Sequence, residues 1–442
     1  MTGTAPPGGT LLTALAAALL LAACGPTQHT GSAYPTPVRI ADAPVLLPVP
    51  KGEGSRTPGD VNGDGNRDLV LGDLVKEQAH ADDPGIGIVY GSERGLVPAT
   101  RQLITPSGQG AATDGQLPAL FDAEATCDLD KDGFTDLVVS TDPPYDGQGR
   151  PPVPLQILFG FPTGLSGKAV HLTVPPAARV GNDWPDQPVC GDFDGDGAKD
   201  LVLHATGGHL THLRGPFSRK GTPRKAGAPI QSPGEVPMGP AADVDRDGYD
   251  DLIVRTTQGT GPSAVVLGGP AGPTRTGAVL PSGIDVALGS FSRGEALDAA
   301  VGGGGPPARA DSSVGEGGTS LRYDLPTAAK GSLASPGSVL DAADFDGDGL
   351  SDLVSSDSRL RIFQGRTTGL STRATTTVEP PATGTSRVLA VGDFDGDGRA
   401  DLVVRTYRSE TTDTVAVLPG TRKGLVSTEP AVTFSTSAFL SP

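Results

Sequence analysis

Six stretches of the sequence set carboxylates at alternate positions and then turn on glycine. They read DVNGDGNRDLV from Asp60, DLDKDGFTDLV from Asp128, DFDGDGAKDLV from Asp192, DVDRDGYDDLI from Asp243, DFDGDGLSDLV from Asp344 and DFDGDGRADLV from Asp393. Acidic side chains at positions 1, 3 and 5 wrap oxygens around one point, and Gly at position 6 allows the sharp turn. Position 7 offers a backbone carbonyl, and Asp at position 9 completes the set. This is the chemistry of calcium, a hard cation that takes six to eight oxygens, whereas magnesium prefers to keep its waters. The expected ligands are Asp60, Asn62, Asp64, Asn66 and Asp68; Asp128, Asp130, Asp132, Phe134 and Asp136; Asp192, Asp194, Asp196, Ala198 and Asp200. The other three sets are Asp243, Asp245, Asp247, Tyr249 and Asp251; Asp344, Asp346, Asp348, Leu350 and Asp352; Asp393, Asp395, Asp397, Arg399 and Asp401. The fourth member of each set acts through its carbonyl, so its side chain is free to vary. About six calcium ions are therefore expected, one per loop. An EF-hand would need Glu at position 12, where this chain has residues such as Leu203 and Val404, and helices on either side.

The elements that position these loops follow from their spacing. Successive starts lie 68, 64, 51, 101 and 49 residues apart, so the gap of 101 predicts a hidden copy near its middle. Gly289-Ser-Phe-Ser-Arg-Gly-Glu-Ala-Leu-Asp298 aligns there without a gap to Gly191–Asp200. It keeps the Gly-x-Phe frame, but its first three acidic positions have become Ser, Ser and Gly, and only Asp298 of the ligand acids survives. A second motif follows most loops: IVYGSERGL from Ile88, ILFGFPTGL from Ile157, VVLGGPAGP from Val265, IFQGRTTGL from Ile362 and VLPGTRKGL from Val417. An apolar run ending at Gly, three turn residues and Gly-Leu make a hairpin signal. Each unit then reads as four strands, with the acidic loop between the first and second. Seven such units predict an all-β, seven-bladed β-propeller with four-stranded antiparallel blades.

Composition agrees. The chain has 442 residues, with 64 Gly, 42 Pro and 4% aromatics, which suits many short strands and turns. Its net charge of -17 excludes nucleic acid as a partner, since phosphate contacts need Lys and Arg. Six bound divalent ions would cancel most of that charge, so the acidity is assigned to the loops.

The loops and hairpins together resemble the FG-GAP/VCBS repeats of integrin alpha-subunit propellers and of many bacterial surface proteins. The resemblance covers residues 55–436. It implies a seven-bladed ring with the calcium loops on one face and ligands meeting the opposite face.

At the N-terminus, Leu11 to Ala23 is nearly all Leu and Ala and ends in Leu21-Ala22-Ala23-Cys24-Gly25. That resembles the lipobox of bacterial lipoproteins. It implies a signal peptide over residues 1–23, a lipidated Cys24 and anchorage at the outer face of the cell membrane. An ordinary cleaved signal with a chance Cys gives the same export. Residues 24–54 then read as the lipidated Cys and a Pro/Thr/Gly-rich tether, 55–436 as the propeller with a degenerate blade five, and 437–442 as a tail. Blade seven is completed either by residues 427–436 or by a strand near Val38 to Leu47.

Cys127 and Cys190 stand one and two residues ahead of their loops, on first strands of neighbouring blades. Facing blades have opposite parity, so the one-residue offset suits an inter-blade disulfide; two buried thiols are the alternative. His209-Leu-Thr-His212 has metal-ligand spacing but reads better as a solvated hairpin. No nucleophile–base constellation is legible, so the chain reads as non-enzymatic. Candidate contact residues on the opposite face are His80, Asp82, Tyr145, Asp146, Asp183 and Trp184. The expected function is a surface binding or adhesion scaffold for an extracellular glycan or protein. A polysaccharide lyase or hydrolase on the same scaffold is the alternative.

Overall fold

The computed structural model describes residues 46–179, 181, 184–255, 261–303, 318–325, 329–333, 339–356 and 359–440. The signal-peptide stretch, Cys24, the tether as far as residue 45, Asp183 and the last two residues lie outside the described residues. What is described is all-β apart from one four-residue α-helix, Pro106–Gln109, and two 3-10 turns.

Seven blade sheets follow one another along the chain, and a two-stranded hairpin of Gly420–Thr421 and Leu425–Val426 lies between the last two strands of blade seven. Blade two shows the pattern: Asp122–Cys127, Asp136–Ser140, Leu155–Leu158 and Val170–His171, all antiparallel. Blades four, five and six repeat it from Val236–Ala242, Asp285–Gly289 and Val339–Ala343. In blade three the outer strand is split into Lys225–Ala226 and Ile230–Gln231. Blade five takes the same form from the degenerate repeat, with Gly289 facing Asp298 across its first two strands.

The core is not one cluster but seven, each between two consecutive blades. Leu201, Leu203 and Leu213 of blade three pack on Val138, Leu155 and Ile157 of blade two. Leu69, Leu71 and Val89 of blade one pack on Val403, Val415 and Val417 of blade seven, which closes the ring. Position 2 of each loop is a buried plug at this interface: Val61, Leu129, Phe193, Val244, Phe291, Phe345 and Phe394. Each such side chain contributes about 1.5–3 kcal/mol by leaving water. Neighbouring loops are also tied by backbone bonds, Thr135 N–H to Asp60 O (2.8 Å), Asp250 to Asp192 (3.0 Å), Ser351 to Ser290 (2.9 Å) and Ala400 to Asp344 (2.8 Å). Between blades two and three a disulfide joins Cys127 to Cys190, with their Cα atoms 6.6 Å apart.

One feature of the ring differs from the sequence reading, and one alternative in it is decided. Blade one has three strands, Leu69–Leu71, Ile86–Val89 and Arg101–Ile104, and among the described residues no strand precedes Asp60. The residues there, Lys51-Gly-Glu-Gly-Ser-Arg-Thr-Pro-Gly59, are poor strand formers. Instead they cross the loop face: Gly52 and Gly54 N–H donate to Asn62 and Gly63, and Ser55 N–H donates to Gly133. The last residues of the expected tether are thus part of the fold. Blade seven is completed by Val432–Phe434, which pairs with Thr412–Leu418.

The closing junction is clasped by polar groups. Arg405 and Asp413 are both fully buried and ion-paired at 2.6 Å. Asp413 also accepts from Thr436 N–H and Oγ1 and from Ser435 Oγ. Arg405 reaches the Asp73 carbonyl of blade one, and Thr436 Oγ1 accepts from Val75 N–H at 2.9 Å. The Thr436–Leu440 turn, whose residues from 437 on were expected as a tail, lays Phe439 into the junction core beside Leu74.

Candidate metal centres

Each acidic loop is wound by its own first residue. Asp128 accepts from Asp132 N–H and Gly133 N–H, and Asp243 and Asp393 do the same at positions 5 and 6. Position 5 then accepts from the position 7 N–H, as Asp132 does from Phe134. Among the described residues, none of the position 7 carbonyls of Asn66, Phe134, Ala198, Tyr249, Leu350 or Arg399 accepts a hydrogen bond. The winding leaves oxygens pointing at one centre. Five loops bring three carboxylates to within 4.8 Å of one another: Asp128/130/136, Asp192/194/196, Asp243/245/251, Asp344/346/348 and Asp393/395/401. Loop one places Asn62 and Asn66 where the others have other groups, so its set is Asp60, Asp64 and Asp68 with amide oxygens.

The donor set fits a divalent cation, and orphaned atoms say where it would sit. Asn62 Oδ1, Asp130 Oδ1, Asp192 Oδ1 and Asp245 Oδ1 are buried with no hydrogen-bond partner. A buried oxygen without a partner costs about 1–3 kcal/mol, so four of them in four acidic loops fit a divalent cation as the group they would bind.

Position 9 has a second task that spacing alone did not reveal. In loop two Asp136 Oδ2 accepts from Leu129 N–H (2.8 Å) and Oδ1 from Gly160 N–H (2.8 Å). Asp68, Asp251, Asp352 and Asp401 make the same pair of bonds, to the position 2 N–H and to the first hairpin Gly. Each staples the acidic loop to the hairpin and keeps a second lone pair per oxygen for a cation. Burial pushes these carboxyls up, Asp136 to about 8, Asp68, Asp251 and Asp352 to about 7 and Asp401 to about 6. Loop three departs from this. Asp200 Oδ2 meets His212 Nε2 at 2.9 Å, and the loop's carboxylate cluster is Asp192, Asp194 and Asp196. His212 is buried, which corrects the solvated reading; its ring lies edge-on to Phe193.

Cationic side chains reach several loops from outside. Arg219 contacts Asp130 and Asp132 while lying over Phe159 and Phe161. Arg214 pairs with Asp194 (3.0 Å), Arg224 contacts Asp196, Arg275 pairs with Asp247 (2.7 Å) and Arg399 contacts Asp397. Nothing in the acidic motif itself signals them, because most arrive from hairpins and outer strands.

In blade five the surviving acid keeps its staple, and Asp324 stands where other blades have the hairpin Gly. The Asp324 carboxylate accepts from Glu295 N–H (2.8 Å) and Ala296 N–H (2.9 Å), so an internal anion orders this loop.

Of the candidate contact residues, Tyr145 and Trp184 come together as an edge-to-face pair, centroids 5.8 Å apart, 40% and 39% exposed. Asp146 caps Gln148 N–H beside them. His80 lies elsewhere, its N–H on Glu410 of blade seven (2.8 Å); Asp82 is exposed and close to it in sequence.

Comparison with known proteins locates the repeat. Residues 327–404 match the family profile described as FG-GAP-like repeat. No curated protein matched the sequence. Among solved structures, BBS1N in complex with ARL6DN is similar at 14% identity, covering 87% of this chain and 96% of that one, with a TM-score of 0.45. The V. cholerae biofilm matrix protein Bap1 is similar at 12% identity, covering 87% and 97%, with a TM-score of 0.37. A structure described as the Dos1 propeller is similar at 10% identity, covering 82% and 92%, with a TM-score of 0.38.

Proposed function

We propose that this FG-GAP-repeat propeller is an exported, lipid-anchored calcium protein that serves as a binding scaffold for an extracellular glycan or protein. The observation that carries the calcium assignment is the set of orphaned oxygens on Asn62, Asp130, Asp192 and Asp245, each in a loop whose other donors are all oxygens. In this reading the ions fix the loop between the first two strands of six blades, Cys24 holds the protein to the membrane, and the opposite face meets the ligand. The exposed Tyr145–Trp184 pair supports that face, because paired rings offer apolar area at low entropic cost. Binding is favoured over catalysis because the carboxylates are committed to loops and staples.

The test has two arms. Calcium titration of the exported chain by calorimetry should give about six sites, with magnesium far weaker. A glycan and surface-protein screen of the calcium-loaded chain should yield a ligand whose binding falls when Trp184→Ala or Tyr145→Ala is introduced. Absence of any calcium heat would overturn the first arm, and unchanged binding by both variants the second.

A further inference from the structure

The loop face gathers positive charge at blades two and three. Arg214–Lys225 holds five of the chain's 34 basic residues in twelve positions, with no acid among them. The stretch runs from the end of the third strand of blade three to its outer strand. Folding adds Lys131 of loop two: a Cβ on Gly197 of loop three would stand 3.2 Å from its Nζ. Arg219 contacts Asp130 and Asp132 of loop two, while Arg214 and Arg224 reach Asp194 and Asp196 of loop three. Lys220 and Lys225 are exposed. These six cations against the eight carboxylates of loops two and three leave a balance of -2, and one divalent ion per loop makes it +2. Arg219 need not leave for this. It meets Asp130 Oδ2, whereas Asp130 Oδ1 is the buried oxygen without a partner. The calcium-loaded patch is therefore cationic in a chain that is acidic overall.

The described chain also enters the fold on this face. Leu47 N–H donates to Ala99 O beside the blade-one hairpin, and Asn62 Nδ2 of loop one donates to Pro50 O at 2.9 Å. Cys24, the proposed lipid site, precedes that point in the sequence. An anchor joined at one face raises the effective concentration of the membrane there. Lys and Arg held near anionic headgroups attract them together, and a guanidinium fork matches a phosphate. The six cations are spread over two loops and a hairpin and do not converge on one point. That suits a surface of many phosphates better than a single small anion. We propose that the calcium-loaded patch docks the loop face on the phosphodiester headgroups of an anionic bilayer. The face that carries Tyr145 and Trp184 then stays free for the ligand. The proposal rests on the calcium reading of loops two and three.

The test is cosedimentation of the exported chain carrying Cys24→Ser, which takes no acyl group. The vesicles are equimolar phosphatidylglycerol and phosphatidylcholine, or phosphatidylcholine alone. Binding to the anionic vesicles in calcium is expected, with loss in EDTA and none to phosphatidylcholine. Lys220→Gln and Lys225→Gln should each weaken it about fivefold. Both side chains are exposed, so an unchanged melting temperature checks that the variants fold. Soluble glycerol phosphate at matched ionic strength separates a headgroup surface from a site for one free anion. The protein should stay on the vesicles, and its release would overturn the docking. Equal binding in EDTA, no binding to the anionic vesicles, or full affinity in both lysine variants would also overturn it. Trp184→Ala should leave vesicle binding unchanged; a fall would put the membrane on the other face and reject the patch. Calcium heat without vesicle binding rejects the docking and leaves the calcium reading standing, whereas absence of calcium heat rejects both.

Discussion

Asp298 Oδ2 accepts a 2.6 Å hydrogen bond from the backbone N–H of Ser292, in a loop that has lost the acids of positions 1, 3 and 5. Its Oδ1 accepts from Asp324 N–H, also at 2.6 Å. The hairpin bond is the one that position 9 makes in the intact loops; on the loop side the donor is position 3, one residue beyond the position 2 N–H used there. The one acid kept in the degenerate repeat is the one whose oxygens hold two backbone donors, so the retained function is the staple.

Asp298→Ala should therefore destabilise the chain by roughly 1–3 kcal/mol, because the part-buried N–H groups of Ser292 and Asp324 lose their acceptor. Calcium stoichiometry should not change. Asp136→Ala should cost a similar amount and also weaken a calcium site. Urea melts paired with calcium titration separate the two effects; a calcium site lost in Asp298→Ala would contradict this assignment.

The raised carboxyls set a pH dependence. Asp68, Asp136, Asp251, Asp352 and Asp401 hold folded values of about 6 to 8 without a cation, well above those of an unfolded carboxylate. The folded state then binds more protons than the unfolded state between pH 4 and pH 8. Stability contributed by these groups is present at acid pH and lost as pH rises through that range. In EDTA the melting temperature should fall from pH 5 to pH 8. Saturating calcium, which binds the ionised form, should raise it most at pH 8. Calcium stabilisation that is larger at pH 5 would reverse the expected sign.

Arg219 occupies the outer carboxylates of loop two. Arg219→Ala should raise calcium affinity at one site by up to about fivefold, since an exposed pair of this kind contributes at most about 1 kcal/mol. Calorimetry of the variant checks it; weaker calcium binding would show that the guanidinium supports the site.

Arg405 and Asp413 tie blade seven to the C-terminal turn and to blade one. Arg405→Ala should cost about 3–5 kcal/mol by stranding a buried carboxylate, and the double variant with Asp413→Ala should lose less than the sum. A double-mutant cycle in urea measures this directly.

Replacing Cys127 and Cys190 by Ala removes a cross-link between residues 63 apart. The expected loss is about 2–4 kcal/mol. The same fall in melting temperature should appear when the native chain is reduced.

The acidic motif and the hairpin motif are local, and their order along the chain was enough to predict the seven blades. Asp298 and the frame around Phe291 even exposed the hidden fifth. Such features are legible because a metal loop and a tight turn each demand particular residues within about ten positions. What spacing could not carry was anything made by residues far apart in sequence. The path of residues 51–59 across the loop face, the choice of Val432–Phe434 to finish blade seven, and the Arg405–Asp413–Thr436 clasp all depend on where the two ends of the ring meet. The pairing of His212 with Asp200, and the packing of Arg67 over Phe394, likewise arise only when strands and neighbouring blades are packed together. The sequence determined the repeated unit and its chemistry. Only the tertiary structure decided how the last unit meets the first, because closing a ring is a long-range packing problem that no single repeat encodes.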